Sequence, residues 1–404
     1  MNKRIRYYIF LRDVLLLAVT SFGGPQAHIA YFQKILVDKR RYLTGDELIE
    51  LNSLCQLLPG PSSTQTLTAV GYKIGGPNLA YLTLLVWILP TVTLMAMAGI
   101  FLSTLQEGSI TLDFTRFIQP MAVGFVSYAA YAFSLKTVNT KTGLLLMVGS
   151  AVLSYFIQTP FIFPVILLVG GLITAFKYKK QPREEKSTFS IQWSNFMLWI
   201  GVLIIAASLG GVTKYRPILL FENFYRNGSL IFGGGQALTP LMYTEFVAKD
   251  TASVKRPVAF RKKEYLQHDE FLSGYALVQA LPGPVFSFSA FIGALSMREY
   301  GLGGEVLGAI MSAAGIFLPG TFLIFFAIRF WDSLKKYRAV RASLEGITAA
   351  SAGLVAAAAV ILFQPLDNTI LNFAFTVGTF CVLTFTRVPH PLVIVAGLLL
   401  GIFL

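Results

Sequence analysis

Charge is scarce in this sequence. Only 13% of its 404 residues are Asp, Glu, Lys or Arg, where soluble domains carry roughly 25%. That deficit excludes an ordinary soluble globule. With 55% hydrophobic residues and a mean hydropathy of +0.65, the composition is that of an integral membrane protein with several spans. Cysteine is nearly absent. Cys55 and Cys381 lie in apolar segments far apart, which excludes a disulfide framework. The three histidines, His28, His268 and His390, are too scattered for a metal site. No nucleotide-binding loop, HExxH or Ser/His/Asp set is recognisable, so neither catalysis nor a cofactor is expected.

The charge that is present is lopsided, with a net value of +13. The basic residues fall between apolar runs, so positive-inside topology accounts for them better than nucleic-acid binding. The opening "MNKRIRYYIFLRDVLLL" reads as a retained first helix with a cytoplasmic start, because Arg12 and Asp13 interrupt the run and no small-residue cleavage site follows.

The chain repeats itself across a polar stretch, Phe176 to Ser190. Phe22-Gly23-Gly24 recurs at Phe232-Gly233-Gly234, with Gln26 matching Gln236. Tyr42-Leu43 matches Tyr265-Leu266, and Glu47 matches Glu270. Gln56-x-Leu58-Pro59-Gly60-Pro61 matches Gln279-x-Leu281-Pro282-Gly283-Pro284. Gly75-Gly76 is matched to Gly303-Gly304, and Leu89-Pro90 to Leu318-Pro319. The order is kept while the offset drifts from 210 (Phe22 to Phe232) to 229 (Pro90 to Pro319). The expected organisation is a first repeat at 1–175, a cytoplasmic linker at 176–194, a connecting transmembrane helix at 195–213 and a second repeat at 214–404. Loop charge orients the first half but does not decide between inverted and parallel repeats; the parity of the spans favours inversion. The basic loop "KDTASVKRPVAFRKK" then falls outside, against the charge rule. The expected fold is all-α and polytopic, each half carrying two broken, re-entrant or discontinuous, helical segments.

A Gly-Gly or Pro-Gly-Pro break leaves amides without helical partners, which hydrocarbon does not tolerate. An anion at a helix start satisfies such donors, helped by the helix dipole. Discontinuous helices of this kind hold substrates near the midplane of secondary transporters. The candidate substrate-binding residues are therefore Gly23, Gly24, Gln56, Gly60, Ser62, Ser63 and Thr64 in the first half. In the second they are Gly233, Gly234, Gln236, Gln279, Gly283 and Ser287. The plainer reading of each break is a kink or a loop turn. Arg40, Arg41, Arg261, Lys262 and Lys263 suit a cationic vestibule, or are ordinary surface charge. His28, Glu47 and Glu270 are candidates for coupling, or respectively a structural hydrogen bond and two dipole-compensating carboxylates.

The stretches "FGGPQAHIAYFQ", "VDKRRYL", "LNSLCQLLPGPSSTQ" and "LVQALPGPVFSFSAFIGA" closely resemble the chromate ion transporter family in its long, two-domain form. The resemblance covers nearly the whole chain. It implies antiparallel halves and export of chromate across the cell membrane, conferring chromate resistance, with sulfate as a related oxyanion. The positions it carries over are Gly23, Gly24, Pro25, His28, Arg40, Arg41, Gln56, Pro59, Gly60, Pro61, Ser63, Thr64 and Gln65. In the second half they are Gly233, Gly234, Gln236, Gln279, Pro282, Gly283 and Pro284. Tyr42 departs from the family's usual tryptophan and keeps an interfacial aromatic. Besides the oxyanion and the bilayer, a coupling proton and a second copy of the chain stand as candidate partners. The competing functions are oxyanion uptake or exchange, and an anion channel.

Overall fold

The computed structural model describes residues 3–22, 24–107, 116–157, 162–176, 193–231, 238–247, 265–329, 338–386 and 388–403. The described chain is all-helical, as a bilayer demands of a backbone that must satisfy itself. The first half contains α1 (Lys3–Thr20), α2 (Gly24–Phe32) running into a π-helix (Gln33–Lys39), α3 (Gly45–Leu57), α4 (Ser62–Glu107), α5 (Ile118–Thr137), α6 (Lys141–Phe156) and α7 (Ile162–Ala175). After α8 (Ser194–Thr213) come α9 (Arg216–Gly228), α10 (Leu238–Phe246), α11 (His268–Ala280), α12 (Phe288–Ser296), α13 (Gly301–Ala327), α14 (Arg338–Phe363), α15 (Ile370–Phe385) and α16 (His390–Phe403). Among the described residues, five helical stretches are long and apolar enough to cross a membrane: 62–105, 118–135, 194–213, 298–327 and 342–363.

Each half builds a helical hairpin whose tip is the Pro-Gly-Pro. Helix α3 starts with a capping box: the Glu47 amide donates to Thr44 Oγ1 at 3.2 Å, and the Thr44 amide to Glu47 Oε2 at 2.8 Å. Gln267 and Glu270 form the same box at the start of α11. Leu58 and Leu281 then leave helical geometry. Beyond the first tip, Thr66 bonds back to Asn52, and Lys73 to Glu47 at 2.5 Å. Those pairs are nearly equidistant from Gly60, so the arms run antiparallel. Glu270 with Arg298, and Gly274 with Phe291, do the same around Gly283. Helices α3 and α11 have 13 residues each, about 20 Å, too short for a roughly 30 Å core.

The outgoing arm ends at a left-handed glycine in both halves, Gly76 (φ 74, ψ −165) and Gly301 (φ 65, ψ −170). Backbone geometry thus pairs Gly76 with Gly301, which corrects the alignment of Gly75-Gly76 to Gly303-Gly304. A one-turn difference between the following helices had hidden this. Helix α13 starts beside Arg298 at the second hairpin's base and ends with Phe325 against Tyr72 and Tyr81 near the first base, with ring centroids 5.3 and 5.1 Å apart. The long part of α4 leaves the first base at Gly76 and brings Gly99 against Phe291 and Ala294 of the second hairpin. The two bases therefore lie at opposite ends of these helices, with both tips between them.

The packing is unequal. Helices α5–α7 interleave with α14–α16 through small residues: Gly170 meets Gly346, and Ser150 donates to the Ala350 carbonyl at 3.0 Å. The second hairpin shares one continuous hydrophobic core with this six-helix body. The first hairpin, with α1 and α2, forms a separate core that takes in the π-helix, the start of the long part of α4 and the end of α13. Every residue of α10 is buried, whereas its counterpart α2 is partly open.

Candidate functional site

The two tips are tied reciprocally to opposite halves. Gly60 N–H donates to the Ile231 carbonyl at 2.6 Å, and Gly283 N–H to the Ser21 carbonyl at 2.9 Å. Ser21 and Ile231 are equivalent residues, each two before a Gly-Gly pair. A second layer repeats the pattern. Thr91 Oγ1 donates to the Pro282 carbonyl at 2.7 Å. Gln65 Nε2 donates to the carbonyls of Pro59 (2.8 Å) and Gly320 (3.1 Å). Thr91 and Gly320 each follow the proline of a matched Leu-Pro pair.

These contacts explain both glycines and correct their expected role. Gly60 has φ +117 and Gly283 φ +94, where a side chain is strained. A Cβ on Gly283 would run into Thr91 Oγ1, and one on Gly60 would lie 3.2 Å from Gly320 Cα. The close approach is to the opposite half, and the two glycine amides are occupied by carbonyls rather than open to a ligand.

Free donors remain one step along. The first ladder bond of α4 runs from Gln65 N–H to the Pro61 carbonyl at 2.8 Å. The amides of Ser62, Ser63 and Thr64 therefore precede the helical ladder, at the positive end of the dipole. All three side chains are buried. Ser63 Oγ lies 3.0 Å from His28 Nδ1. Trp87 Nε1 donates to Thr64 Oγ1 at 3.0 Å and packs edge-on to His28, 5.3 Å between centroids. His28 lies against the Ser21 backbone, and its Nε2 and the Ser21 hydroxyl are both buried without a hydrogen-bond partner. When Ser63 donates to Nδ1, Nε2 carries the proton and is a free donor. Orphaned buried polar atoms of this kind call for a ligand or water.

The second tip has the same backbone but different chemistry. Val285, Phe286, Ser287 and Phe288 stand where the first half has Ser62, Ser63, Thr64 and Gln65. Leu238 replaces His28, and Ile316 replaces Trp87. Leu238, Phe286, Phe288 and Ile316 are all buried in the larger core. Gln279 donates to Tyr275 Oη at 2.8 Å, within its own helix. Ser287 is buried with its hydroxyl unpaired. Gln56 is half-buried one turn before the first tip, and Gly24 opens α2 at φ 74. Gly23, Gly233, Gly234, Gln236, Arg261, Lys262 and Lys263 lie outside the described residues.

The charged candidates have structural partners. Arg40 forks onto buried Asp13 of α1, Nε to Oδ2 at 2.8 Å and Nη2 to Oδ1 at 2.9 Å. Tyr42 adds a hydrogen bond to Asp13 at 3.0 Å. Burial, then Asp13, pushes the Tyr42 phenol up to about 12. Arg40 is thus a fastener, whereas Arg41 is exposed with φ 54. Glu47 and Glu270 combine their capping boxes with the ion pairs that close the hairpin bases. Lys73, then the Thr44 amide, hold the Glu47 carboxyl below the usual carboxylate range. Asp13, Trp87 and Thr91 escaped the sequence reading as site residues. An acid inside an apolar run was the available signal for Asp13; the other two look like ordinary span residues.

The sequence model of chromate transporters matches residues 9–175 and 218–402. The chain belongs to the chromate transporter family. It is a multi-pass membrane transport protein whose two family matches indicate two repeats. It is 25% identical over 397 residues to a probable chromate transport protein of Synechococcus elongatus, covering 96% of this chain and 93% of that protein. It is 24% identical over 396 residues to a chromate transport protein of Cupriavidus metallidurans, covering 96% and 90%. An uncharacterized transporter of Methanocaldococcus jannaschii is 24% identical over 393 residues, covering 96% and 92%. No solved structure matches the chain.

Proposed function

We propose that this chromate transporter family member is a secondary transporter that exports chromate, or a similar tetrahedral oxyanion, from the cytoplasm. The observation that carries the reading is the start of α4. Its unladdered amides, the Ser63 and Thr64 hydroxyls and the His28–Trp87 pair form one buried donor-rich cluster. Neutral donors at a helix start stabilise a dianion without a fixed counter-charge, so release stays feasible. The two halves are inverted repeats, with the first hairpin's base and the N-terminus cytoplasmic. Opposed bases and reciprocal tip contacts support this, as does the absence of Lys and Arg from the loops "QEGSITLD" and "QTPFIFP".

Unequal docking favours a transporter over a channel. The second hairpin packs on α5 and α16, and α10 on α14; the first hairpin and α2 make no comparable contacts among the described residues. Exchanging these symmetry-equivalent contacts generates the opposite access state. Chromate flux into proteoliposomes, with sulfate as competitor and with or without a pH gradient, tests the function. Saturable flux that an imposed gradient drives is expected; flux rising linearly with chromate and indifferent to His28→Leu would refute it. Cysteines at Lys141 and Lys214 test the inversion. Lys141→Cys should label from the cytoplasmic side and Lys214→Cys from outside, and labelling on one shared side overturns it.

A further inference from the structure

With Arg40 committed to Asp13, the cationic entrance must be sought elsewhere. A cleft of about 490 Å³ opens between the end of α1 and the π-helix, lined by Thr20, Tyr31, Lys34, Ile35, Asp38 and Lys39. The π-helix makes this lining. Its wide bonding, continued by Arg40 N–H to the Ile35 carbonyl at 3.0 Å, sets residues five apart on one face. Lys34 and Lys39 consequently share the cleft, where α-helical winding would turn one of them away. Both are exposed, and neither ammonium has a carboxylate within ion-pair distance among the described residues. Asp38 is the cleft's acid, and Gln33 Nε2 donates to its Oδ1 at 2.9 Å. The cleft ends at Thr20. The next residue, Ser21, has a buried, unpaired hydroxyl and sets its backbone against His28.

We propose that the Lys34–Lys39 cleft is an anion-capture site that collects a divalent oxyanion from solution and delivers it past Ser21 to His28 and the start of α4. This rests on the oxyanion reading of the His28 cluster. Two ammonium groups against one carboxylate give the cleft a net positive field. Solvent exposure keeps the capture weak, so the anion is concentrated without being trapped.

The first test is lysine acylation of the full-length protein, read by peptide mass spectrometry, with chromate and with sulfate. Either anion should slow modification of Lys34 and Lys39 while Lys214 is unaffected. Equal modification with and without both anions overturns the proposal. Protection in a protein that moves no chromate would refute the transport reading and leave the capture site standing. The second test is Lys34→Gln/Lys39→Gln in proteoliposomes. At low ionic strength the half-saturating chromate concentration should rise about tenfold with the maximal rate unchanged, and Asp38→Asn should lower it. High salt should bring the curves together. An unchanged half-saturation at low salt, or a loss confined to the maximal rate, overturns the capture role.

Discussion

Replacing Gly283 by alanine tests the reciprocal tie most directly. At φ +94 an alanine carries backbone strain of about 1–3 kcal/mol. Its Cβ also displaces Thr91 Oγ1, which donates to the Pro282 carbonyl, forfeiting about 0.5–1.5 kcal/mol. The loss should total about 2–4 kcal/mol. The two parts separate in a Thr91→Ala background, where the hydroxyl is already gone and only the strain remains. Unfolding measured in one detergent for wild type, both single variants and the double variant gives the coupling, expected at about 1 kcal/mol, with the double variant better than additive. Gly60→Ala should combine strain with crowding of the Gln65 amide, which a Cβ would approach to 3.0 Å and which bonds Pro59 and Gly320. Strictly additive losses, or an unharmed Gly283→Ala, would refute the idea that this glycine exists to admit Thr91.

Arg40→Ala leaves the buried Asp13 carboxylate with Tyr42 alone and should lower the thermal midpoint; Asp13→Asn/Arg40→Gln should regain most of the loss, as thermal unfolding would show. Glu47→Gln should lower the thermal midpoint at neutral pH. Because the Glu47 carboxyl is held below its ordinary value of about 4.3, its contribution is present above that value and fades as pH falls through the lowered one. A gap from wild type that persists in strong acid would show that the Glu47–Lys73 closure is not ionic. Chromate should raise the melting temperature of wild type and of Leu238→Ala but not of His28→Leu, since the first tip carries the His28, Ser63 and Thr64 cluster; loss in both would place the anion between the halves.

Much of the architecture was legible because Pro and Gly punctuate strongly. The two Pro-Gly-Pro stretches mark where helices stop, and the ordered recurrence of the motifs marks the repeat. What the breaks touch was not legible. An unladdered amide announces that it needs an acceptor, but Gly60 finds Ile231 and Gly283 finds Ser21 only through the fold. Arg40 looked like free surface charge because Asp13, 27 residues away, joins it only once α1 packs beside the loop. The inequality of the halves was visible in "PSSTQ" against "PVFSF". Matching the motif drew attention to the shared prolines and away from the residues that differ.

That inequality gives the two tips different work. Their backbones exchange equivalent bonds, so neither hairpin moves far without breaking or carrying a contact with the other half. Their side chains do not match: one tip is buried among Phe286, Phe288 and Ile316, the other presents Ser63, Thr64 and His28. Ser21 joins the two. Its carbonyl accepts from Gly283, its backbone lies against His28, and its buried hydroxyl is unpaired. A displacement of the apolar hairpin that keeps this bond must therefore move Ser21, and with it the polar floor of the first site. Breaking the bond instead leaves a buried amide and carbonyl unpaired, at about 1–3 kcal/mol for each group. Carrying Ser21 is the less costly course, and it couples the largely apolar tip to the donor-rich one.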